Sequence, residues 1–235
     1  MGKIIYVSGP SGTAKTKVKD KLESLASPLG VRFERTIVTM SRDMRPGESQ
    51  GNPWYFKSLE EIKAANAKEP ERYLTAEIRR GELQGLDTEI ELKNKLETAG
   101  VLWCELHMKW FDKIKNWLQV HIPDATIVKV FVAPLTESEV IARTAERKTT
   151  WEKVIEEEML HRLIVRREAN LDNAPLHKLQ ERALDAVQLY GLRNQYDCII
   201  VNHQGEESPE WGTAGEFPTG EAARVLDQFL QIFKG

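Results

Sequence analysis

Eight consecutive residues, Gly9-Pro10-Ser11-Gly12-Thr13-Ala14-Lys15-Thr16, combine two glycines, a lysine and a threonine hydroxyl. Ahead of them runs Ile4-Ile5-Tyr6-Val7, the apolar pattern of a buried strand. Behind them Val18, Leu22 and Leu25 recur at helical spacing. Strand, glycine-rich turn and a helix opening on Lys-Thr is the order that a phosphate-binding loop requires. The N–H groups of such a turn converge on phosphate oxygens, helped by the positive end of the helix dipole. Lys15 would reach the outer phosphates of a nucleoside triphosphate, and the Thr16 hydroxyl would ligate its Mg²⁺. Gly9, Ser11, Gly12, Thr13, Ala14, Lys15 and Thr16 are therefore the expected contacts to MgATP. Ala14 stands where glycine is usual. If its backbone needs a positive φ, the methyl costs about 1 kcal/mol, which binding tolerates.

A second set lies downstream. Arg42 and Arg45 are three residues apart on a loop whose turns are set by Pro46, Gly47, Gly51 and Pro53. Two guanidinium forks at that spacing can hold one phosphate and neutralise charge as a phosphoryl group moves.

The segment IIYVSGPSGTAKT followed by SRDMRPGESQGNPWYF resembles the guanylate kinases, which carry a GPSGxGK[ST] loop and then T-T-R-x-P-R-x-G-E-x-x-G-x-x-Y-x-F. The strand from Ile127 to Pro134 and the run Cys198-Ile199-Ile200-Val201-Asn202 are similar to later strands of that family. The close match covers the first 56 residues. The resemblance implies that Arg42 and Arg45 bind the phosphate of an acceptor. It places Arg143 and Arg147 in a helical lid over ATP, with Lys15, Arg42, Arg45 and Arg147 carrying catalysis. The family's later lid arginine falls on Glu158, so Arg162, Arg166 or Arg167 stands as its replacement.

The base-reading groups do not carry over. Trp54, with Tyr55 beside it, takes the place of the family's tyrosine after the arginine loop. Thr75 takes the place of a guanine-reading glutamate, with Glu77 close by. The family's G-N-Y-Y-G-[ST] corresponds to Gly81-Glu82-Leu83-Gln84-Gly85-Leu86, and both tyrosines are gone. Where the family's later strand ends in L-D-I-D-x-Q-G, this chain reads Trp103-Cys104-Glu105-Leu106-His107-Met108-Lys109-Trp110, with Glu105 and His107 at the two aspartate positions. Thr39, Arg42, Arg45, Trp54, Tyr55, Thr75, Glu105 and His107 make up the expected acceptor set. A guanine edge without its carboxylate partner loses a few kcal/mol. The expectation is an ATP-dependent phosphotransferase for a nucleoside monophosphate or similar phosphate monoester, with altered base recognition. A non-catalytic binding module and an enzyme like the ribose-bisphosphate kinases are the alternatives.

The elements that must position these residues follow from periodicity. Strands are expected at Lys3 to Ser8, Arg32 to Met40, Val101 to Leu106, Thr126 to Ala133 and Asp197 to Asn202. Helices are expected from Thr16, Leu59 (capped by Ser58 and Glu61), Thr88, Trp110 and Ser138, and from Trp151 to Val187 with a break near Asn173 to Pro175. A closing helix carries Ala222, Val225, Leu226, Phe229, Leu230 and Phe233 on one face. The stretch from Glu71 to Gly85 matches no single template. Alternation of strand and helix points to an α/β P-loop fold: a mostly parallel sheet with helices on both faces, plus acceptor-binding and lid subdomains. One domain is expected over residues 1–235, with a core at about 1–38, 100–135 and 195–235. The acceptor region would be 39–99, and the lid with its helical insertion 136–194.

Composition bounds the rest. With 33 basic and 36 acidic residues the net charge is −3, which argues against a general nucleic-acid partner. Hydrophobic residues make up 41% of the 235, enough for a packed core. No apolar run is long enough to span a membrane and no leader pattern opens the chain, so a cytoplasmic protein is expected, monomeric or homodimeric. Cys104 and Cys198 each sit in an apolar run and are expected to be buried thiols.

Overall fold

The computed structural model describes residues 2–26, 28, 30, 32, 34–44, 48–79, 81–169 and 174–234. In chain order the strands are β1 (Lys3–Ser8), β2 (Glu34–Arg35), β3 (Thr39–Met40), β4 (Tyr55–Phe56), β5 (Tyr73–Arg79), β6 (Glu82–Asp87), β7 (Val101–Glu105), β8 (Thr126–Ala133) and β9 (Cys198–Val201). The α-helices are α1 (Lys15–Leu25), α2 (Leu59–Lys68), α3 (Lys95–Ala99), α4 (Phe111–His121), α5 (Glu137–Arg147), α6 (Trp151–Glu168), α7 (Leu176–Gly191) and α8 (Gly220–Lys234). The fold is α/β with a mostly parallel sheet. The chain divides into two compact units, Met1–Tyr6 with Arg32–Ile127 and Val7–Val31 with Val128–Gly235.

The first unit holds two sheets. In one, β2 pairs in parallel with β7, β7 neighbours β1, and Thr126 at the start of β8 donates to the Gly2 carbonyl at 2.9 Å. The other runs β4-β3-β6-β5. The stretch from Glu71 to Gly85 resolves as the hairpin β5–β6, closed by Gly81 at φ 79°. Its strands mix exposed charge with buried Tyr73, Ala76 and Ile78, which hides the alternation. The single strand expected from Arg32 to Met40 is instead two short ones in different sheets. The break has a physical cause. Glu91, buried in a π-helical turn, accepts the Ile37 N–H at 2.6 Å, while Thr36 N donates to Trp103 and Tyr55 N donates to Val38. The backbone at 36–38 thus changes partners from one sheet to the other.

In the second unit β8 pairs in parallel with β9, matching Val130 to Cys198 and Ala133 to Val201. Phe131, Ala133, Leu135, Val140, Val154, Ile155, Met159, Ala183, Ala186 and Tyr190 form one buried cluster beneath α5, α6 and α7. The helical stretch expected from Trp151 to Val187 is α6 and α7; the break expected near Asn173 falls partly outside the described residues. All six apolar positions expected on the closing helix are buried on α8. Trp211 of the preceding loop is also buried and donates to the Gly205 carbonyl at 2.9 Å, whereas Phe217 is exposed.

Cys104 is buried against the Thr36 hydroxyl, and burial pushes its thiol up to about 12. Cys198 is only half-buried, unlike the expectation, because it opens β9 where the strand leaves the core. Among the described residues, no helix is long and apolar enough to cross a membrane.

Candidate active site

The phosphate loop lies in the second unit. It leaves β1 at Gly9, whose φ of 143° and position forbid a side chain: a Cβ there would meet the Val132 carbonyl oxygen at 2.4 Å. Gly12, at φ 93°, faces α6. A Cβ there would stand 3.5 Å from Met159 Cε and 3.6 Å from Arg162 Cβ. Thr13 is buried and its hydroxyl donates to the Pro10 carbonyl at 2.9 Å, bracing the turn. Ala14 is buried and left-handed, φ 57° and ψ 27°, immediately before α1. The site therefore does take the positive φ that glycine would supply without strain, and alanine holds it at a cost of about 1 kcal/mol. Lys15 Nζ lies over the loop, donating to the carbonyls of Gly9 at 2.9 Å and Pro10 at 2.7 Å. Ser11 is half-buried, and Thr16 is exposed on the first turn of α1. An exposed hydroxyl at that turn is a hard oxygen donor suited to Mg²⁺.

The far side of the loop is anchored by β9. Asn202, fully buried, donates from Nδ2 to the Thr13 carbonyl at 3.0 Å. Sequence reasoning gave Asn202 no role, although it closes the strand run that carried the resemblance.

The arginines expected in a lid separate into different environments. Arg143 on α5 donates from Nη1 to Glu158 at 2.8 Å, and a third of its side chain is exposed. Arg147 pairs with Glu157 at 3.0 Å, both about half-exposed. Arg162 is nearly buried and makes three hydrogen bonds, to Glu158 Oε1 at 2.7 Å, the Asn202 carbonyl at 2.9 Å and the Pro134 carbonyl at 2.9 Å. Arg166 pairs with Glu206 at 3.2 Å, and Arg167 is exposed. Burial raises the Glu158 carboxyl, but the charge and hydrogen bond of Arg162, then those of Arg143, outweigh it and hold it below the usual carboxylate range.

The residues expected to bind an acceptor lie in the first unit. Thr39 is buried in β3, opposite Tyr55 of β4 and Gly85 of β6. Thr75 of β5 also faces Gly85. Tyr55 is exposed, and its ring edge would meet a Cβ on Gly51 at 3.3 Å; Trp54 is half-buried. Arg42 follows β3. Its two terminal nitrogens grip Glu48 at 2.8 and 2.7 Å, Nη1 also donates to the Asp43 carbonyl, and the guanidinium lies 5.3 Å from the Phe56 ring. Glu48, within the motif that carried the resemblance, is thus the partner that orients Arg42. Arg45 lies outside the described residues.

Glu105 ends β7. His107 opens a short 3₁₀ turn: its Nδ1 accepts the Lys109 N–H at 3.3 Å, and its carbonyl accepts the Tyr6 hydroxyl at 2.6 Å. Two further residues went unassigned in the sequence. Gln84 and Trp110, at a tyrosine and a glycine of the family's patterns, are both buried, and the indole Nε1 donates to Gln84 Oε1 at 2.8 Å. The Gln84 amide then points at Met40 Sδ, 3.2 Å away.

No family model matches the chain. It is 26% identical over 208 residues to the guanylate kinase of Streptococcus thermophilus, spanning 86% of this chain and 80% of that one. It is 26% identical over 216 residues to the guanylate kinase of Mycoplasmoides gallisepticum, spanning 89% of each. The crystal structure of guanylate kinase from Anaplasma phagocytophilum superposes over 99% of this chain and 85% of that one, with a TM-score of 0.56 at 18% identity, a likeness of fold. The strand–loop–helix at Gly9 to Thr16, the α/β architecture and these relatives agree: the chain is similar to guanylate kinases in sequence and in fold.

Proposed function

We propose that the protein transfers the γ-phosphoryl group of ATP to a nucleoside monophosphate or a similar phosphate monoester, with base recognition altered from that of guanylate kinases. The observation that carries this reading is the phosphate loop, with Lys15 Nζ folded over the Gly9 and Pro10 carbonyls at the start of α1. The N-terminus of α1 and the turn before it supply N–H groups and a positive dipole end for the triphosphate. Lys15 neutralises its outer phosphates, and Thr16 would hold Mg²⁺, whose charge offsets that of the β- and γ-phosphates when bound. Arg143 and Arg147 add positive charge from α5. The acceptor phosphate is its own nucleophile, so Arg42 and Arg45 need only hold it and screen its charge; no strong general base is required.

Altered base recognition rests on the acceptor sheet. Thr75, Gln84 and Leu86 stand where the family reads or packs its base and phosphate, and the Gln84 amide is spent on Trp110 and Met40. The test is a panel: protein, Mg-ATP and each nucleoside monophosphate, deoxynucleotide and ribose phosphate in turn, with ADP measured. One acceptor other than GMP should release ADP fastest. GMP as the best acceptor would contradict altered recognition, and ATP binding with no acceptor-dependent ADP would instead favour a binding module.

A further inference from the structure

Glu158 lies where the related kinases carry a lid arginine, so its charge is the reverse of the one a triphosphate attracts. Its two oxygens are both engaged by guanidinium groups. Oε1 accepts from Arg162 Nε at 2.7 Å and Oε2 from Arg143 Nη1 at 2.8 Å. Arg162 is held on its other side as well, because its terminal nitrogens donate to the Asn202 and Pro134 carbonyls at the ends of β9 and β8. It is therefore a fixed post, and Glu158 is fixed to it. The turn of α6 that bears them packs on the phosphate loop: a Cβ on Gly12 would meet Met159, Arg162 and Leu163 within 3.8 Å. The same Asn202 that gives its carbonyl to Arg162 gives its amide to Thr13. An unbroken series of hydrogen bonds thus runs from the phosphate loop through Asn202, Arg162 and Glu158 to Arg143. Arg143 is the end of the series that stays partly exposed.

We propose that Glu158 is a positioning residue for triphosphate binding, which carries the Arg143 guanidinium on the α6 turn packed against the phosphate loop. Where the resemblance expects a further lid charge on α6, this chain has a carboxylate that holds the α5 arginine from α6. This inference rests on the ATP-binding reading above. A carboxylate shared by two guanidiniums keeps the outer one in a single orientation, so less side-chain entropy is lost when it meets a phosphate.

The test is a double-mutant cycle on the full chain, with the dissociation constant of MgATP measured by calorimetry for wild type, Glu158→Gln, Arg143→Ala and the double variant. Glu158→Gln should weaken binding about tenfold, the scale of a lost charge-assisted hydrogen bond, while in the Arg143→Ala background the same change should have almost no effect. Thermal melting of each variant identifies any that fails to fold, and Glu158→Asp, which keeps the charge, should restore part of the affinity. Equal losses in both backgrounds would overturn the proposal, since Glu158 would then act through Arg162 on the fold. No loss in either background would overturn it too. Wild type that does not bind MgATP would overturn the ATP reading itself, and this inference with it.

Discussion

The side-chain amide of Asn202 donates to the carbonyl of Thr13 at 3.0 Å, tying the end of β9 to the middle of the phosphate loop, and both residues are fully buried. Asn202 Oδ1 also accepts the Gln204 N–H at 3.1 Å. Replacing Asn202 with alanine strands the buried Thr13 carbonyl and the part-buried Gln204 N–H at once. A loss of about 1–3 kcal/mol is expected, read by urea denaturation, with weaker MgATP binding because the loop loses its brace. Asn202→Asp should be at least as damaging, since it sets a carboxylate oxygen against the Thr13 carbonyl.

Ala14 occupies left-handed backbone at φ 57° directly before Lys15. Ala14→Gly removes the clash of the methyl with that conformation but adds chain entropy to the unfolded state. The net expected gain is up to about 0.5 kcal/mol, or roughly 1–2 °C in Tm at this chain length. A differential scanning trace decides it: a lower Tm for the glycine variant would mean that the loop's strain is not held at this residue.

His203 sits between two carboxylates, with Nδ1 2.6 Å from Glu221 and Nε2 2.9 Å from Glu139, the third residue of α5 and partner of its N-cap Thr136 in a capping box. Both ring nitrogens can donate only when the imidazole is protonated. Arg224 joins from α8, 2.7 Å from Glu221. Burial lowers the affinity of His203 for its proton, but the hydrogen bonds to Glu139 and Glu221 outweigh this and raise its pKa. For Glu139, burial raises the carboxyl, and the bonds from His203 and Thr136 more than reverse it, to about 2. The signs follow. The raised histidine contributes stability below its unfolded pKa and loses it as pH rises through the folded value. The lowered glutamate contributes above its ordinary range and loses it as pH falls toward about 2. Comparing wild type with His203→Gln from about pH 5.5 to about pH 9 should show a stability difference that shrinks as the solution becomes alkaline. A difference that stays constant across that range would contradict a protonated His203 latch.

Much of this fold is legible in the sequence because its signals are local. The apolar stripe Ala222 to Phe233 and the Gly9 to Thr16 run each need only their own spacing to be read, and α2 shows the expected Ser58–Glu61 capping box. What escaped depends on partners far along the chain. The break between β2 and β3 is imposed by Glu91, more than fifty residues on. Arg162 reads as one more charged position on a helix, yet it is nearly buried because the carbonyls of Pro134 and Asn202 need donors. Trp110 and Gln84 also reveal their pairing only once β6 and the turn after β7 meet. Arg42 falls between these cases: its residue type and loop were readable, but its grip on Glu48 was not.

Lys15 bears most directly on the proposed phosphoryl transfer from ATP. The decisive measurement is acceptor-dependent release of ADP by wild type and by Lys15→Met, each confirmed folded by circular dichroism. Wild type should release ADP only when an acceptor is present, and the variant should lose about two orders of magnitude or more of that rate, because the outer phosphates lose their neutralising charge. Equal rates in the two proteins would show that the loop at Gly9 to Thr16 does not hold the phosphoryl donor.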